Sequence, residues 1–146
     1  MKYQRMMNEN DKDIPYLTSA FKLPEISCYI SIDEQNYWKY VTTGENVHFF
    51  KVYEKDSLVA TTHLEVVDRV LYLDIMVVPE CQGKGIATTV LKDIQAGDLV
   101  SGFDRIEVSI DENNVASIRL FERMGFDFVS KEDELLNYVY KVKKEL

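Results

Sequence analysis

The sequence predicts an α/β fold of the α+β type, with one mixed sheet of about seven strands and about four helices. Its 146 residues, 46% of them hydrophobic, can build one core, so residues 1–146 are expected to form a single domain. Strand-like and helix-like patterns follow each other without a repeat or a linker. A strand, a glycine-rich loop, a helix and a second strand follow in turn between Val70 and Ile110, which is the pattern of a parallel crossover.

The N-terminal segment predicts one strand and one helix. Lys2–Met7 is a short strand candidate, and Asn10 or Asp11 can cap a helix that runs towards Phe21. Pro24 is expected to end that helical region.

A capping box predicts the next helix. In Ser31–Glu34 the serine hydroxyl and the glutamate side chain can each accept a bond from an otherwise unpaired amide, so a helix should run over Asp33–Tyr40. This helix carries Tyr37 and Trp38, which either line a binding pocket or pack in the core.

The middle of the chain predicts an antiparallel meander, because runs rich in β-branched and aromatic residues alternate with polar turns. The three strands are Val47–Tyr53, Leu58–Val67 and Val70–Val78, with turns at Lys55–Ser57 and Asp68–Arg69.

Two amphipathic helices and three strands follow Pro79. Apolar residues recur at helical spacing from Ile86 until Gly97, and again over Asn114–Met124, after which Gly125 is a C-terminal stop. The predicted strands are Arg105–Ile110, Phe126–Ser130 and Leu135–Val142.

Composition limits the partners. A formal net charge of −8 disfavours binding to nucleic acid or an anionic membrane, and favours a neutral or cationic ligand. No segment approaches the roughly 20 apolar residues of a membrane span, so a cytoplasmic protein is expected. Cys28 and Cys81 show no metal-ligand spacing and are expected to be passive thiols, with no metal bound.

The segment Val77–Ala87 leaves a strand, passes Gly83 and Gly85 and opens a helix. Such a turn directs backbone N–H groups and the positive end of the helix dipole at one point, which indicates a phosphate or pyrophosphate site; the alternative is a structural turn. The Walker A motif is absent, because no Gly-Lys-Ser/Thr follows at the required spacing. The dinucleotide-binding fingerprint would need Gly or Ala where Thr88 stands.

Two motifs, in this order, resemble the signatures of the GNAT acetyltransferases. Gln82-x-x-Gly85-x-Ala87 resembles Q/R-x-x-G-x-G/A, and Asn114–Phe126 resembles N-x-x-A/S-x-x-L-Y/F-x-x-x-G-F. One helix and one strand separate the two. The resemblance implies the GNAT fold, a mixed sheet splayed open into a V, and acetyl-CoA as the co-substrate.

The resemblance also implies how acetyl-CoA is bound. A strand that stops pairing offers N–H and C=O groups to the pantetheine amides, and the helix N-terminus binds the pyrophosphate. Lys84, Lys92, Arg119 and Arg123 are either ligands of the remaining phosphate or solvated charges. The implied cofactor-binding residues are Ile75, Met76, Val77, Gln82, Gly83, Lys84, Gly85, Ile86, Ala87, Thr88, Asn114, Ser117 and Phe121.

Acetyl transfer to an amine needs a base for the ammonium group, a donor to the oxyanion and a proton for the thiolate. Asp74, which shares a strand face with Tyr72 and Met76, is the first candidate for the base, and Glu65 or His63 is the second. A solvated or hydrogen-bonded strand residue is an equal alternative for Asp74 and the favoured one for Glu65 and His63. The backbone N–H near Met76 or Val77 can stabilise the oxyanion.

Phe121 stands where many GNAT members have a tyrosine, and a phenyl ring cannot donate the proton. Tyr138 or Tyr140 can replace it, or the thiolate can take its proton from water. Alternation along the strand is expected to direct Tyr138 to the cleft and Tyr140 to the opposite face of the sheet.

The sequence thus predicts an acetyl-CoA-dependent N-acetyltransferase that acts on a primary amine of a small molecule or peptide by direct attack on the thioester. The alternative is a CoA-binding sensor or interaction module without turnover, which Phe121 favours. Neither nucleic acid nor membrane is an expected partner, and a monomer or homodimer is expected. The variable loops predicted to select the acceptor are Pro24–Thr42 and Glu132–Tyr138.

Overall fold

The computed structural model describes residues 1–30, 32–33 and 36–142. Its strands are β1 (Lys2–Arg5), β2 (Val47–Glu54), β3 (Ser57–Val67), β4 (Val70–Val77), β5 (Arg105–Asp111), β6 (Asp127–Glu132) and β7 (Leu135–Lys141). Its helices are α1 (Ile14–Phe21), α2 (Pro24–Ser27), α3 (Tyr37–Thr43), α4 (Ile86–Gln95) and α5 (Val115–Arg123), and a 3₁₀ turn spans Pro79–Cys81.

The seven strands form one mixed sheet in the order β1-β2-β3-β4-β5-β7-β6. The pairs β1–β2, β5–β7 and β6–β7 are antiparallel. β4 and β5 are parallel, with Val70–Tyr72 opposite Arg105–Glu107. The parallel pair flanks α4, as the crossover pattern requires, and the predicted fold class is confirmed.

The helices of the N-terminal segment differ from the sequence prediction. Helix α1 begins at Ile14 with Asp13 at the N-cap, rather than at Asn10 or Asp11. Pro24 begins the short helix α2 instead of ending a helical region, because proline fits the first turn, where its missing N–H is not needed. The described residues therefore contain five helices rather than about four.

The predicted capping box cannot be compared with the structure, because Ser31 and Glu34 lie outside the described residues. Helix α3 begins at Tyr37 with Asn36 at the N-cap, so the predicted start at Asp33 is wrong. The Asp33 carbonyl accepts bonds from the N–H groups of Asn36 and Tyr37, at 3.1 and 2.8 Å, and forms the turn that leads into the helix.

The chain divides into two compact units. The first comprises Met1–His63 and Ile75–Ile86, and the second Leu64–Asp74 and Ala87–Leu146. The single domain over residues 1–146 stays a prediction. In the first unit an apolar core joins α1 and α3 to the end of β4 and includes Phe21, Trp38, Phe49, Met76 and Val78. In the second, buried residues include Leu71, Leu91, Ile94, Ile106 and Phe121.

A buried charged cluster in the first unit was not predicted. Lys51 of β2 is 1% exposed, and its ammonium group donates to the carboxylates of Asp11 and Asp13 at 2.8 and 2.9 Å. Tyr53 donates its hydroxyl to Asp13. Burial by itself would raise the pKa of Asp13, but the bonds from Tyr53 and Lys51 outweigh it and leave this pKa below its usual value. We call these four residues the Lys51 cluster; it uses the carboxylate of Asp11, which sequence reasoning assigned to a helix cap.

Within the described ranges, no helix has both the length and the apolar character needed to cross a lipid bilayer.

Candidate functional site

The C-terminal end of β4 offers backbone groups on one edge. Val78 donates its N–H to the Val59 carbonyl of β3 at 3.0 Å. Successive residues of an extended strand direct their backbone groups to opposite sides, so the N–H and C=O groups of Val77 and Ile75 point away from β3. We call these groups the far edge of β4. Met76 lies between them with its side chain 2% exposed in the core, which fixes the strand at this point.

The glycine loop, defined as Gln82–Ile86, follows the 3₁₀ turn. Gly83 and Gly85 have φ values of 78° and 80°. Residues with a Cβ rarely adopt this left-handed backbone conformation. A Cβ added at either position would meet no atom within 4 Å. The space beside both glycines is therefore open to a ligand, and an incoming phosphate can approach the backbone closely.

Helix α4 begins where the glycine loop ends. The side chain of Ile86 is 4% exposed and anchors the first turn. The first N–H groups of a helix have no acceptor within it, and the helix dipole adds partial positive charge there. The predicted anion-binding segment, Gly83–Thr88, thus forms one loop-to-helix turn whose chemistry fits a pyrophosphate.

Gln82 has a partner that the sequence did not reveal. Its side-chain amide Nε2 donates to the Val77 carbonyl at 3.1 Å, and its backbone N–H donates to the Pro79 carbonyl at 3.3 Å. Gln82 was predicted to bind the cofactor, and the structure shows that it also joins the glycine loop to the far edge of β4.

The second motif begins with a helix cap. Asn114 is the N-cap of α5, and its side-chain oxygen accepts the N–H of Ser117 at 3.3 Å. Since the cap uses the oxygen, a cofactor contact through Asn114 would have to use the amide nitrogen. Phe121 is 7% exposed and packs edge-on against Phe126, with ring centroids 5.0 Å apart. This packing gives Phe121 a structural role, and its contact with the cofactor stays a prediction.

Residues 13–126 match the model of the acetyltransferase (GNAT) family. The chain belongs to the GNAT acetyltransferase family. It is 30% identical over 97 residues to an uncharacterized N-acetyltransferase, YobR, of Bacillus subtilis. That match covers 66% of this chain but spans only 37% of the length of the relative.

Solved structures show the same GNAT fold. Smu.2055 of Streptococcus mutans has a TM-score of 0.78 at 15% identity, with 98% of this chain and 100% of that chain covered. The N-acetyltransferase PseH of Campylobacter jejuni has a TM-score of 0.77 at 12% identity, with 97% and 98% covered. A spermidine N-acetyltransferase chimera of Vibrio cholerae SpeG and hSSAT has a TM-score of 0.75 at 19% identity, with 97% and 96% covered.

The candidate bases of this GNAT protein lie in different units. Asp74 and Glu65 are half-buried strand residues of the second unit. Tyr72, on the same face as Asp74, is 44% exposed, and partial burial together with the carboxylate of Glu107 raises its pKa. His63 belongs to the first unit, and its Nδ1 lies 3.1 Å from the hydroxyl of Tyr37, a partner that sequence reasoning missed.

The two aromatic residues at the start of α3, Tyr37 and Trp38, have different surroundings. Trp38 is 6% exposed, donates its Nε1–H to the Thr18 hydroxyl at 3.1 Å and packs edge-on against Phe49. For Trp38 the packing interpretation is therefore the one observed. Tyr37 is half-buried, so its ring contributes to the same core while its hydroxyl reaches His63.

Two expectations about the C-terminal strands of the GNAT protein are wrong. Tyr138 and Tyr140 do not point to opposite faces, because strand residues two apart share one face. Their rings lie 5.7 and 5.3 Å from those of Phe128 and Phe126, which are likewise two residues apart. Glu132–Tyr138 is not a variable loop, because its residues belong to the antiparallel hairpin of β6 and β7.

The four basic candidates for the remaining phosphate are all exposed: Lys84, Lys92, Arg119 and Arg123. Exposure fits a ligand-binding charge and a solvated charge equally. The two cysteines are free thiols, with Cys28 exposed and Cys81 half-buried.

Proposed function

We propose that this GNAT protein is an acetyl-CoA-dependent N-acetyltransferase that acetylates a primary amine of a small molecule or peptide by direct attack on the thioester. Membership of the family supports acetyl transfer, and the dependence on acetyl-CoA and the amine acceptor are the proposal. The observation that carries it is the continuous path from the far edge of β4 through the glycine loop into α4.

The backbone of this path suits the two halves of the cofactor. The N–H groups of Ile75 and Val77 and the C=O of Ile75 can pair with the pantetheine amides as a further strand would, while the C=O of Val77 already accepts the side-chain amide of Gln82. The amides of Gly83–Thr88 can bind the pyrophosphate. Asn114, Ser117 and Phe121 are proposed to contact the cofactor from α5, as the family signature implies.

A base has to take a proton from the acceptor, because an alkyl ammonium group has a pKa of about 10.4. Asp74 is the proposed base, with Glu65 or His63 as the alternative. His63 has one feature in its favour, since a hydroxyl 3.1 Å from Nδ1 holds the imidazole in one orientation. Of the two candidate donors to the oxyanion, the Val77 N–H is proposed, because the backbone groups of Met76, like those of Val78, point towards β3.

Tyr138 is the proposed donor to the departing thiolate. Burial is the main cause, and the charge of Glu122 the second, of a raised pKa at Tyr138. A tyrosine hydroxyl is protonated at neutral pH with or without this shift, as a general acid must be. Tyr138→Phe should lower kcat by about 10²-fold or more with little change in the acetyl-CoA KM, the scale typical of a general acid. An unchanged kcat would favour protonation by water.

The acceptor is proposed to be neutral or cationic, since the net charge of −8 attracts amines and repels polyanions. Nucleic acid and membranes are therefore not proposed as partners. The cytoplasmic location rests on composition alone, and a monomer or homodimer is proposed.

The test is a thiol-release assay with acetyl-CoA and a panel of polyamines, aminoglycosides, amino acids and N-terminal peptides. Release that depends on one class of amine is the expected result. Saturable CoA binding by calorimetry without release for any amine would favour the sensor or interaction module. If millimolar acetyl-CoA produced neither heat nor a rise in Tm, the acetyl-CoA site would be refuted.

A further inference from the structure

Gln82 lies between the far edge of β4 and the glycine loop, the two regions that the proposed ligand would contact. Its side-chain amide donates to the Val77 carbonyl at 3.1 Å, and Val77 belongs to the far edge of β4. Gln82 is also the first residue of the glycine loop. The bond therefore connects the strand proposed for pantetheine with the loop proposed for the pyrophosphate.

The glycine loop needs such a connection. Gly83 and Gly85 allow the loop its positive φ values, but glycine loses more conformational freedom on ordering than any other residue. The residues Gln82–Gly85 are exposed, so side-chain packing contributes little to their position. On the strand side, Pro79–Cys81 forms a 3₁₀ turn, and the Gln82 N–H donates to the Pro79 carbonyl at 3.3 Å. The two bonds of Gln82 thus fix the start of the loop from both its backbone and its side chain.

We infer that Gln82 is a positioning residue that keeps the glycine loop at a constant spacing from the far edge of β4. It acts through the Val77 carbonyl and not by contacting phosphate. The inference rests on the proposed function, because the spacing matters only for a ligand that spans strand and loop. A bond that fixes this spacing before binding lowers the conformational entropy that CoA binding has to offset.

The test compares variants of Gln82 by calorimetry with CoA and by steady-state kinetics. Gln82→Met has nearly the same shape but no donor, and it should raise the CoA Kd and the acetyl-CoA KM by about two- to tenfold, the scale of one hydrogen bond. The kcat and the acceptor KM should stay at wild-type values. Gln82→Arg keeps N–H donors and should restore the Kd to near wild type.

Gln95→Met is the matched control. Gln95 also donates its side-chain amide to a backbone carbonyl, that of Met124 at 2.8 Å, but it lies at the other end of α4. Gln95→Met should lose about as much stability in urea denaturation as Gln82→Met, while its CoA Kd stays at the wild-type value. An equal effect of both variants on Kd would mean that general destabilisation, and not positioning, weakens binding, and would overturn the inference.

Two other outcomes would also overturn it. A wild-type Kd for Gln82→Met would show that the bond to Val77 is irrelevant to binding, while the proposed acetyl-CoA site would stand. A CoA Kd of Gln82→Arg as weak as that of Gln82→Met would show that a side-chain donor at this position does not position the loop. Failure of the wild-type protein to bind CoA is the distinct result that refutes the proposed function itself.

Discussion

The Lys51 cluster and the glycine loop are two polar regions of the same unit, and they differ in burial and in the space around them. In the cluster, charged side chains lie inside the protein, and Lys51 bonds to Asp11 and Asp13. In the glycine loop the residues up to Gly85 are exposed, and the space beside Gly83 and Gly85 is open. The cluster is buried and bonded within the chain, whereas the loop has open space beside its backbone, which we propose is the place of the phosphate. Substitutions should therefore change stability in the first region and ligand binding in the second.

The largest expected effect is on stability in the Lys51 cluster. Lys51→Met fills a similar volume but leaves the two partly buried carboxylates, whose side chains are 14% and 21% exposed, without their cation. Removing one partner of a buried ion pair costs about 3 kcal/mol or more of unfolding free energy. Urea denaturation measures this loss, and the CoA Kd of the folded variant should not change.

Lys39→Met, at an exposed position of α3, is the control and should change stability by less than about 0.5 kcal/mol. A similar loss in the two lysine variants would mean that the ion pairs of the cluster contribute nothing to stability.

The next effect is on binding at the glycine loop. Gly85→Val places a side chain where the phosphate has to approach, and losing one charge-assisted hydrogen bond weakens binding by about 10- to 100-fold. Gly102→Val is a matched control, because Gly102 has a φ of 89° and equally open surroundings but lies before β5. Both variants should lose stability through backbone strain of about 1–3 kcal/mol.

Calorimetry should show that only Gly85→Val binds CoA more weakly, while circular dichroism shows both variants folded. Normal CoA binding by Gly85→Val would reduce the glycine loop to a structural turn and remove the contrast between the two regions.

The smallest effect sharpens the comparison at Asn114, which combines a structural and a proposed binding role. Asn114→Ala removes the N-cap of α5 and should cost about 1 kcal/mol of stability. Asn114→Ser keeps a capping oxygen but removes the amide nitrogen. If the amide contacts the cofactor, Asn114→Ser should be as stable as wild type and bind CoA more weakly. Wild-type affinity in Asn114→Ser would leave Asn114 with the cap alone.

Most strands could be predicted because the alternation of apolar and polar residues that marks a strand is visible within a few consecutive residues. The meander bounds agree closely with β2, β3 and β4, since alternating apolar residues separated by polar turns specify three strands without knowledge of their partners. Prediction failed where the same residue type serves two purposes. Pro24 can follow one helix or begin the next, and Glu132–Tyr138 is polar enough for a loop although it pairs in a hairpin.

In the candidate site, too, local features could be predicted from the sequence and tertiary contacts could not. The two motifs, and hence the family, could be predicted from residues close together in sequence. The bond from Gln82 to Val77 spans five residues, but its existence depends on the 3₁₀ turn that returns the chain to the strand end. The roles of Asp74, Glu65 and Tyr138 stay predictions.

The sequence by itself determined the glycine loop, because the positive φ values at Gly83 and Gly85 and the helix that follows are properties of adjacent residues. Only the tertiary structure decided which side chains meet across the chain. Lys51 and Asp11 are 40 residues apart, and Tyr37 and His63 are 26 apart. No local sequence pattern predicts such pairs. The burial of each side chain and the partner that it meets depend on how the strands and helices pack, and not on the neighbouring residues in the sequence.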